Sequence, residues 1–317
     1  MSSPLRIVFM GTAPLAATVL DTLLACPEFA VVAAVTQPDK PKGRDLKLQP
    51  SAVKEIAILR GVPVLQPIKA RDPESIQKMQ QLAPELIVVA AYGQILPQAL
   101  LDVPPFGCLN VHTSILPKYR GAAPIQWAIL NDESETGVTI MKMDAGLDTG
   151  EIVSEARTAI RAEDNAQTLH DRLAQLGGEL LVATIPKFVT GELQPSAQPA
   201  EGATYARKIT KEDGRLDWSQ PARVLWNKVR GLTPWPGAFT FLQRAPGPML
   251  LKVLRAEIVR EVSALPGSVV SADSTGIVVG AGQNALRLVD LQREGGKRLN
   301  VAQFLAGFPI KVGERFL

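Results

Sequence analysis

The chain has 317 residues, 46% hydrophobic and 21% charged, with a net charge of +3. This composition excludes a fibrous repeat or a disordered chain, and at roughly 100 to 200 residues per domain the length points to two domains. Two cysteines and two histidines are too few for a disulfide framework or a Cys/His metal cluster, so no metal is expected, and no apolar run reaches the ~20 residues needed to cross a bilayer.

The first half alternates short apolar runs with helical patterns. LRIVFM (5–10) reads as a first strand rather than a signal peptide, and is followed by a helix over 15–26 and AVVAAVT (30–36). A helix over 52–60, VPVLQ (62–66), a helix over 73–82 and ELIVVAA (85–91) continue the pattern. Repetition of strand and helix with non-alternating apolar strands predicts an α/β fold: a doubly wound parallel sheet covered on both faces. Ligands of such sheets bind beyond the carboxyl ends of the strands. Strands at 137–143 and 151–160 and a long helix over 167–189 complete a first domain, residues 1–189.

Residues 190–206 mix Gly, Pro, Ser and Gln without a period and read as a linker. Beyond it, a helix over 222–229 and short strands at 238–243, 251–259, 267–272, 275–281 and 285–292 predict a C-terminal OB-like β-barrel within residues 207–317. Residues 1–200 hold 17 basic and 21 acidic side chains, net −4, whereas residues 201–317 hold 17 and 10, net +7. Such polarity suits a first part that handles a small substrate and a second that meets a polyanion, although a basic domain can also simply be a soluble one.

Gly11 follows the first strand, but the second and third glycines of G-x-G-x-x-G are absent, so a dinucleotide is disfavoured and Gly11 reads as a strand-to-helix turn. In CLNVHTS (108–114), Asn110 and His112 are two apart on a strand and point to one side. An amide that donates to an oxyanion beside an imidazole that moves a proton is a minimal acyl-transfer site. The alternative is a turn-capping Asn110 and a satisfied core histidine. In MDAGLDTGEI (143–152), Asp144 and Asp148 lie among glycines; either suits a turn, and either could support a cationic His112. The loop 36–54 carries Lys40, Lys42, Arg44, Lys47 and Lys54 against Asp39 and Asp45, and reads equally as a phosphate-facing arm or a solvated charge run. Trp218, Trp226 and Trp235 lie near Arg223, Lys228 and Arg230. They suit base stacking or, by preference, anchoring of a helix on the barrel core.

NVHTSILPKYRGAAPIQWAI followed by TGVTIMKMDAGLDTGEI resembles the N-formyltransferases that use 10-formyltetrahydrofolate. TQPDKPKGR, TYARKITKEDGRLDW, RGLTPWPGAFT and KRLNVAQFLAG extend the resemblance to those members that act on methionyl-tRNA, from Ile7 to near the C-terminus. The resemblance implies a Rossmann-like, mostly parallel catalytic domain and a C-terminal OB-like domain, and transfer of the formyl group of 10-formyltetrahydrofolate to the amino group of initiator methionyl-tRNA. The two cysteines suit a reducing compartment, so a cytoplasmic enzyme is expected, and a monomer. It places the catalytic trio on Asn110, His112 and Asp148, not Asp144, and the folate-binding segment on Ser114, Ile115, Leu116 and Pro117. AAYGQIL (90–96) would wall the pterin, and Lys40, Lys42, Arg44 and Lys47 would face tRNA, with Arg44 the matching arginine. The chain departs from the family pattern at Leu15, often phenylalanine, and at Ile115, often leucine, both volume-conserving changes. Asp45 and Leu46 stand before Lys47, where glycine and lysines are common, which would weaken the loop's grip on tRNA. The rivals are a formyltransferase acting on a small amine and a non-catalytic tRNA-binding OB protein.

Overall fold

The computed structural model describes residues 3–42 and 47–317. In chain order the elements begin β1 (Leu5–Gly11), α1 (Pro14–Leu24), β2 (Phe29–Val35), β3 (Lys40–Lys42), β4 (Lys47–Gln49), α2 (Ala52–Leu59), β5 (Val64–Leu65) and α3 (Pro73–Leu82). They continue with β6 (Leu86–Ala90), α4 (Gln98–Leu101), β7 (Cys108–His112), β8 (Arg120–Gly121), α5 (Pro124–Leu130), β9 (Glu135–Lys142), β10 (Glu151–Ala159) and α6 (Ala166–Val189). Then come β11 (Tyr205–Ala206), α7 (Ala222–Gly231), β12 (Ala238–Leu242), β13 (Met249–Val259), β14 (Val269–Asp273), β15 (Gly276–Gly280), β16 (Ala285–Arg293), β17 (Leu299–Asn300) and α8 (Val301–Gly307).

The chain forms two units. The first takes in Met1–Pro124, Glu135–Ala159 and His170–Ala206; the second takes in Ile125–Ser134, Ile160–Leu169 and Arg207–Leu317. The first unit holds a seven-stranded sheet of order β10-β9-β7-β6-β1-β2-β5. The strands from β7 to β5 run parallel, and β9 and β10 add an antiparallel edge. Every residue of β6 is buried, as a strand covered on both faces requires. The chain moves from β1 to β2 on one side and returns through β6 to the other, so the sheet reverses direction beside β1, and crevices open at the strand ends there. Gly11 owes its place to close approach rather than to a turn conformation. A Cβ there would lie 2.6 Å from the Ala16 Cβ and 2.9 Å from the Ala90 carbonyl oxygen, so glycine lets α1 seat against the end of β1.

Residues 190–206, which by composition read as a linker, are bonded to the first unit. Ser196 and Ile152 exchange backbone hydrogen bonds of 2.8 Å, and β11 pairs with β8. This strap needs no apolar side chains because main-chain and amide groups hold it.

The second unit is an antiparallel sheet of order β12-β13-β16-β15-β14. Its two edges are joined by the C-terminal tail, since Leu242 bridges Phe316 and Ser268 bridges Arg315. The tail thus closes the sheet into the expected barrel. Trp218, Leu225, Leu288, Phe304 and Phe316 fill its core. The Trp218 indole N–H donates 2.9 Å to the Thr240 hydroxyl, whereas Trp226 stacks with Arg223 and Arg230, and Trp235 is 53% exposed. Among the described residues no helix is long and apolar enough to cross a membrane.

Candidate active site

A cavity of about 550 Å³ opens at the strand ends of the first unit. Its walls are apolar: Leu15, Val89, Leu96, Met141 and Met143, with the turn from Ala91 to Leu96 after β6. Size and lining suit a small organic ligand held by a few polar groups. Asn110 and His112, two apart on β7, both line it. Register on either side fixes the strand, with Asn110 opposite Val89 of β6 and Met141 of β9. The Asn110 amide makes no hydrogen bond with another described residue, so both of its N–H groups are available to a ligand.

His112 is buried, and its Nε2 lies 3.0 Å from the Tyr119 carbonyl oxygen. A carbonyl only accepts, so Nε2 carries a proton and Nδ1 is the nitrogen left to gain or lose one. Nδ1 is 3.8 Å from Asp148 Oδ2, within ion-pair range and too long for a hydrogen bond. Asp148 Oδ2 instead accepts the Gly121 N–H at 2.7 Å. Asp148 has φ +52°, a left-handed conformation that aspartate tolerates better than most residues. Asp144 is a turn former: its carboxylate accepts from the Gly146 N–H and the Thr149 hydroxyl at 2.9 and 2.8 Å. Of the two aspartates, the structure brings Asp148 to His112.

Two other titratable groups near the site are not poised for chemistry. Burial pushes the Tyr92 phenol up to about 12, and burial together with the charge of Asp102 pushes the Cys108 thiol up to about 12. Neither is an anion near neutrality, so neither is a nucleophile or base there. Among the described residues no group of three metal-ligating side chains occurs.

Ser114, Ile115, Leu116 and Pro117 do not line the cavity. They form a turn fixed to β9: the Thr139 hydroxyl donates to the Ser114 carbonyl at 2.7 Å and accepts the Leu116 N–H at 3.1 Å. The Ser114 hydroxyl donates to the Lys118 carbonyl at 2.6 Å. In the basic loop, β3 and β4 pair as a hairpin that sequence reading leaves as loop, because KPK and KLQ are short and lack a buried apolar face, β4 being exposed throughout. Lys40 donates to Gln37 at 2.6 Å, and Lys47 is exposed. Lys42 lies on β3, and Arg44 falls outside the described residues. Asp39 is bound by Lys54 and Gln66, with Lys54 the main reason its carboxyl sits below the usual range.

Sequence reading missed the groups that hold His112 and Asp148. Tyr119, at φ +60°, supplies the carbonyl for His112, and Gly121, at φ +113°, supplies the N–H for Asp148. A Cβ on Gly121 would lie 2.8 Å from the Ala206 carbonyl oxygen, so the strap also demands glycine there. Gly121 was the one visible signal, since main-chain partners leave no mark on residue type.

The model of the formyl transferase family matches residues 5–185, and that of the formyl transferase C-terminal domain matches residues 208–309. A methionyl-tRNA formyltransferase of Citrifermentans bemidjiense is 50% identical over 98% of this chain and 95% of its own length. Another, of Myxococcus xanthus, is 49% identical over 99% of this chain and 98% of its own. Among solved structures, an N-formyltransferase of Helicobacter canadensis in complex with folinic acid and dTDP-3-aminofucose has a TM-score of 0.65 at 16% identity, covering 93% of this chain and 100% of its own. HypX of Aquifex aeolicus in complex with tetrahydrofolic acid has a TM-score of 0.62 at 18% identity, over 98% of this chain and 48% of its own. Those two likenesses speak to the fold. At half identity over nearly the full length of proteins that share one name, the chain belongs to the methionyl-tRNA formyltransferase family.

Proposed function

We propose that the chain transfers the formyl group of 10-formyltetrahydrofolate to the α-amino group of initiator methionyl-tRNA. The observation that carries this reading is the unengaged Asn110 amide beside His112 in a cavity of about 550 Å³. The cavity fits a flat heteroaromatic ligand between apolar walls, with the Ala91 to Leu96 turn against the pterin. Ser114, Ile115, Leu116 and Pro117 support the folate side through Thr139, and their turn leads to Tyr119, whose carbonyl holds His112.

The folate supplies the formyl group and the nitrogen that leaves. Esterification lowers the basicity of the methionyl amine, so more of it is neutral and able to attack the formyl carbon. Asn110 donates to the formyl oxygen as it becomes negative, a contact that strengthens in the transition state. His112 Nδ1 takes the proton released by the amine, and the resulting imidazolium is stabilised by Asp148 3.8 Å away. The proton passes to the folate nitrogen, directly or through water, as the carbon–nitrogen bond breaks. The products are N-formylmethionyl-tRNA and tetrahydrofolate. Lys40, Lys42, Arg44 and Lys47, with the +7 excess of residues 201–317, take the tRNA backbone.

The test is incubation with 10-formyltetrahydrofolate and charged initiator or elongator methionine tRNA. Formylmethionine on the initiator alone is expected. Absence of product, or equal formylation of both tRNAs, would defeat the reading.

A further inference from the structure

We propose that Gln198, in the strap between α6 and the second unit, is a positioning residue for Asp148; this rests on the role given to Asp148 above. All four hydrogen-bonding positions of the Gln198 amide are used. Nε2 donates to the Asp148 carbonyl and to the Gly150 carbonyl, each at 2.8 Å. Oε1 accepts from Arg120 Nε at 3.1 Å and from Arg120 Nη2 at 2.6 Å. One planar amide therefore joins the two stretches of chain that must face each other.

Arg120 stands between Tyr119, whose carbonyl holds His112, and Gly121, whose N–H holds the Asp148 carboxylate. On the other side, Gln198 grips the backbone on which that carboxylate is carried. Asp148 and Tyr119 are both non-glycine residues at positive φ, and such conformations persist when surrounding bonds over-determine them. The strap secures Tyr119 as well, since the Thr204 hydroxyl accepts the Tyr119 N–H at 2.9 Å. Only a neutral amide has two donors for the carbonyls and an acceptor for Arg120. Glutamate would satisfy Arg120 but turn an anion towards two carbonyl oxygens. Alanine would satisfy neither. The 3.8 Å between His112 and Asp148 is the distance this clamp sets.

The experiment measures kcat, KM for both substrates and thermal melting for the full chain carrying Gln198→Ala or Gln198→Glu, each alone and combined with Asp148→Asn. Both single variants should lose about tenfold in kcat with each KM within about twofold, as expected for a sub-ångström misplacement. The loss should vanish when Asp148 is already asparagine, because Gln198 then has no carboxylate to place. Wild-type kcat in Gln198→Glu would overturn the proposal, since the Arg120 link alone would then suffice. So would a loss undiminished in the Asp148→Asn background, which marks a merely structural role. If Gln198→Ala fails to fold, Gln198→Glu decides, as it keeps the volume and the Arg120 pair. Full activity of Asp148→Asn alone would instead remove the underlying role of Asp148, and the proposal with it.

Discussion

His112 donates its Nε2–H to the Tyr119 backbone carbonyl at 3.0 Å, and this bond decides which nitrogen of the ring does chemistry. In the neutral imidazole, Nδ1 holds the lone pair and faces Asp148. The expected outcome is an Nε2–H tautomer for neutral His112 in the free protein, read from the nitrogen chemical shifts of labelled histidine. His112→Ala provides the assignment. An Nδ1–H tautomer would mean that the ring is turned over and that the proton path runs through the other nitrogen.

Asn110 is the complementary case, a polar side chain at the cavity wall with no described partner. Asn110→Ala should lower turnover by roughly a hundred- to a thousand-fold, the usual cost of one oxyanion donor. Because no internal hydrogen bond is lost, the melting temperature should stay close to that of the unaltered chain. Steady-state kinetics and a melt on the same preparation check both halves. A large drop in melting temperature would make Asn110 structural.

Asp144 and Asp148 should separate cleanly. Asp148→Asn removes the charge beside His112 while its carbonyl oxygen still accepts from Gly121, so kcat should fall by about a hundredfold or more. Asp144→Asn alters a turn whose partners are Gly146 and Thr149, and should cost about 1 kcal/mol of stability or less with kcat within about tenfold. Chemical denaturation and turnover on both variants give the comparison.

The sequence makes some features legible and hides others, for physical reasons. β1, α3 and β6 are readable because burial imposes a run or a period on residue type, and α3 spans the range its pattern predicts. Asn110 and His112 are readable as a same-side pair. The partner of His112 is not, because any residue can offer the carbonyl that Tyr119 offers. Residues 190–206 resemble a linker since polar and small residues dominate, although Ser196, Gln198 and Thr204 tie them down through hydrogen bonds. The closing tail is hidden likewise. In KVGERFL only Phe316 is buried, and its pairing is with edges far away in the chain.

The basic hairpin should act on affinity and leave chemistry alone. Lys47 is exposed on β4. Lys47→Ala should raise KM for tRNA, leave kcat unchanged, and reduce the slope of log affinity against log salt by about one. Kinetics at several ionic strengths check this. A change in kcat at saturating tRNA would place the hairpin nearer to the chemistry than its charge implies.

The closing tail of the barrel should loosen in acid. Glu314 is bound by Arg244 through Nε at 2.8 Å and Nη2 at 2.7 Å, and it also accepts the Lys311 N–H at 2.8 Å. Chiefly through Arg244, its carboxyl is held below the usual range. A carboxylate with a depressed folded-state pKa contributes stability that is fully present above its unfolded value, about 4.3, and is lost as pH falls through the folded value. Both partners are about a quarter exposed, so water screens the pair and the contribution is modest. The tail amides that cross between the edges, Phe316 N–H to the Gly267 carbonyl and Leu317 N–H to the Phe241 carbonyl, report the loss. After correction for intrinsic rates, their hydrogen-exchange protection should drop from pH 5 to pH 3 more than that of β16. In Glu314→Gln the drop should shrink, because the titrating group is gone. Equal drops in both chains would show that Glu314 does not govern closure of the tail.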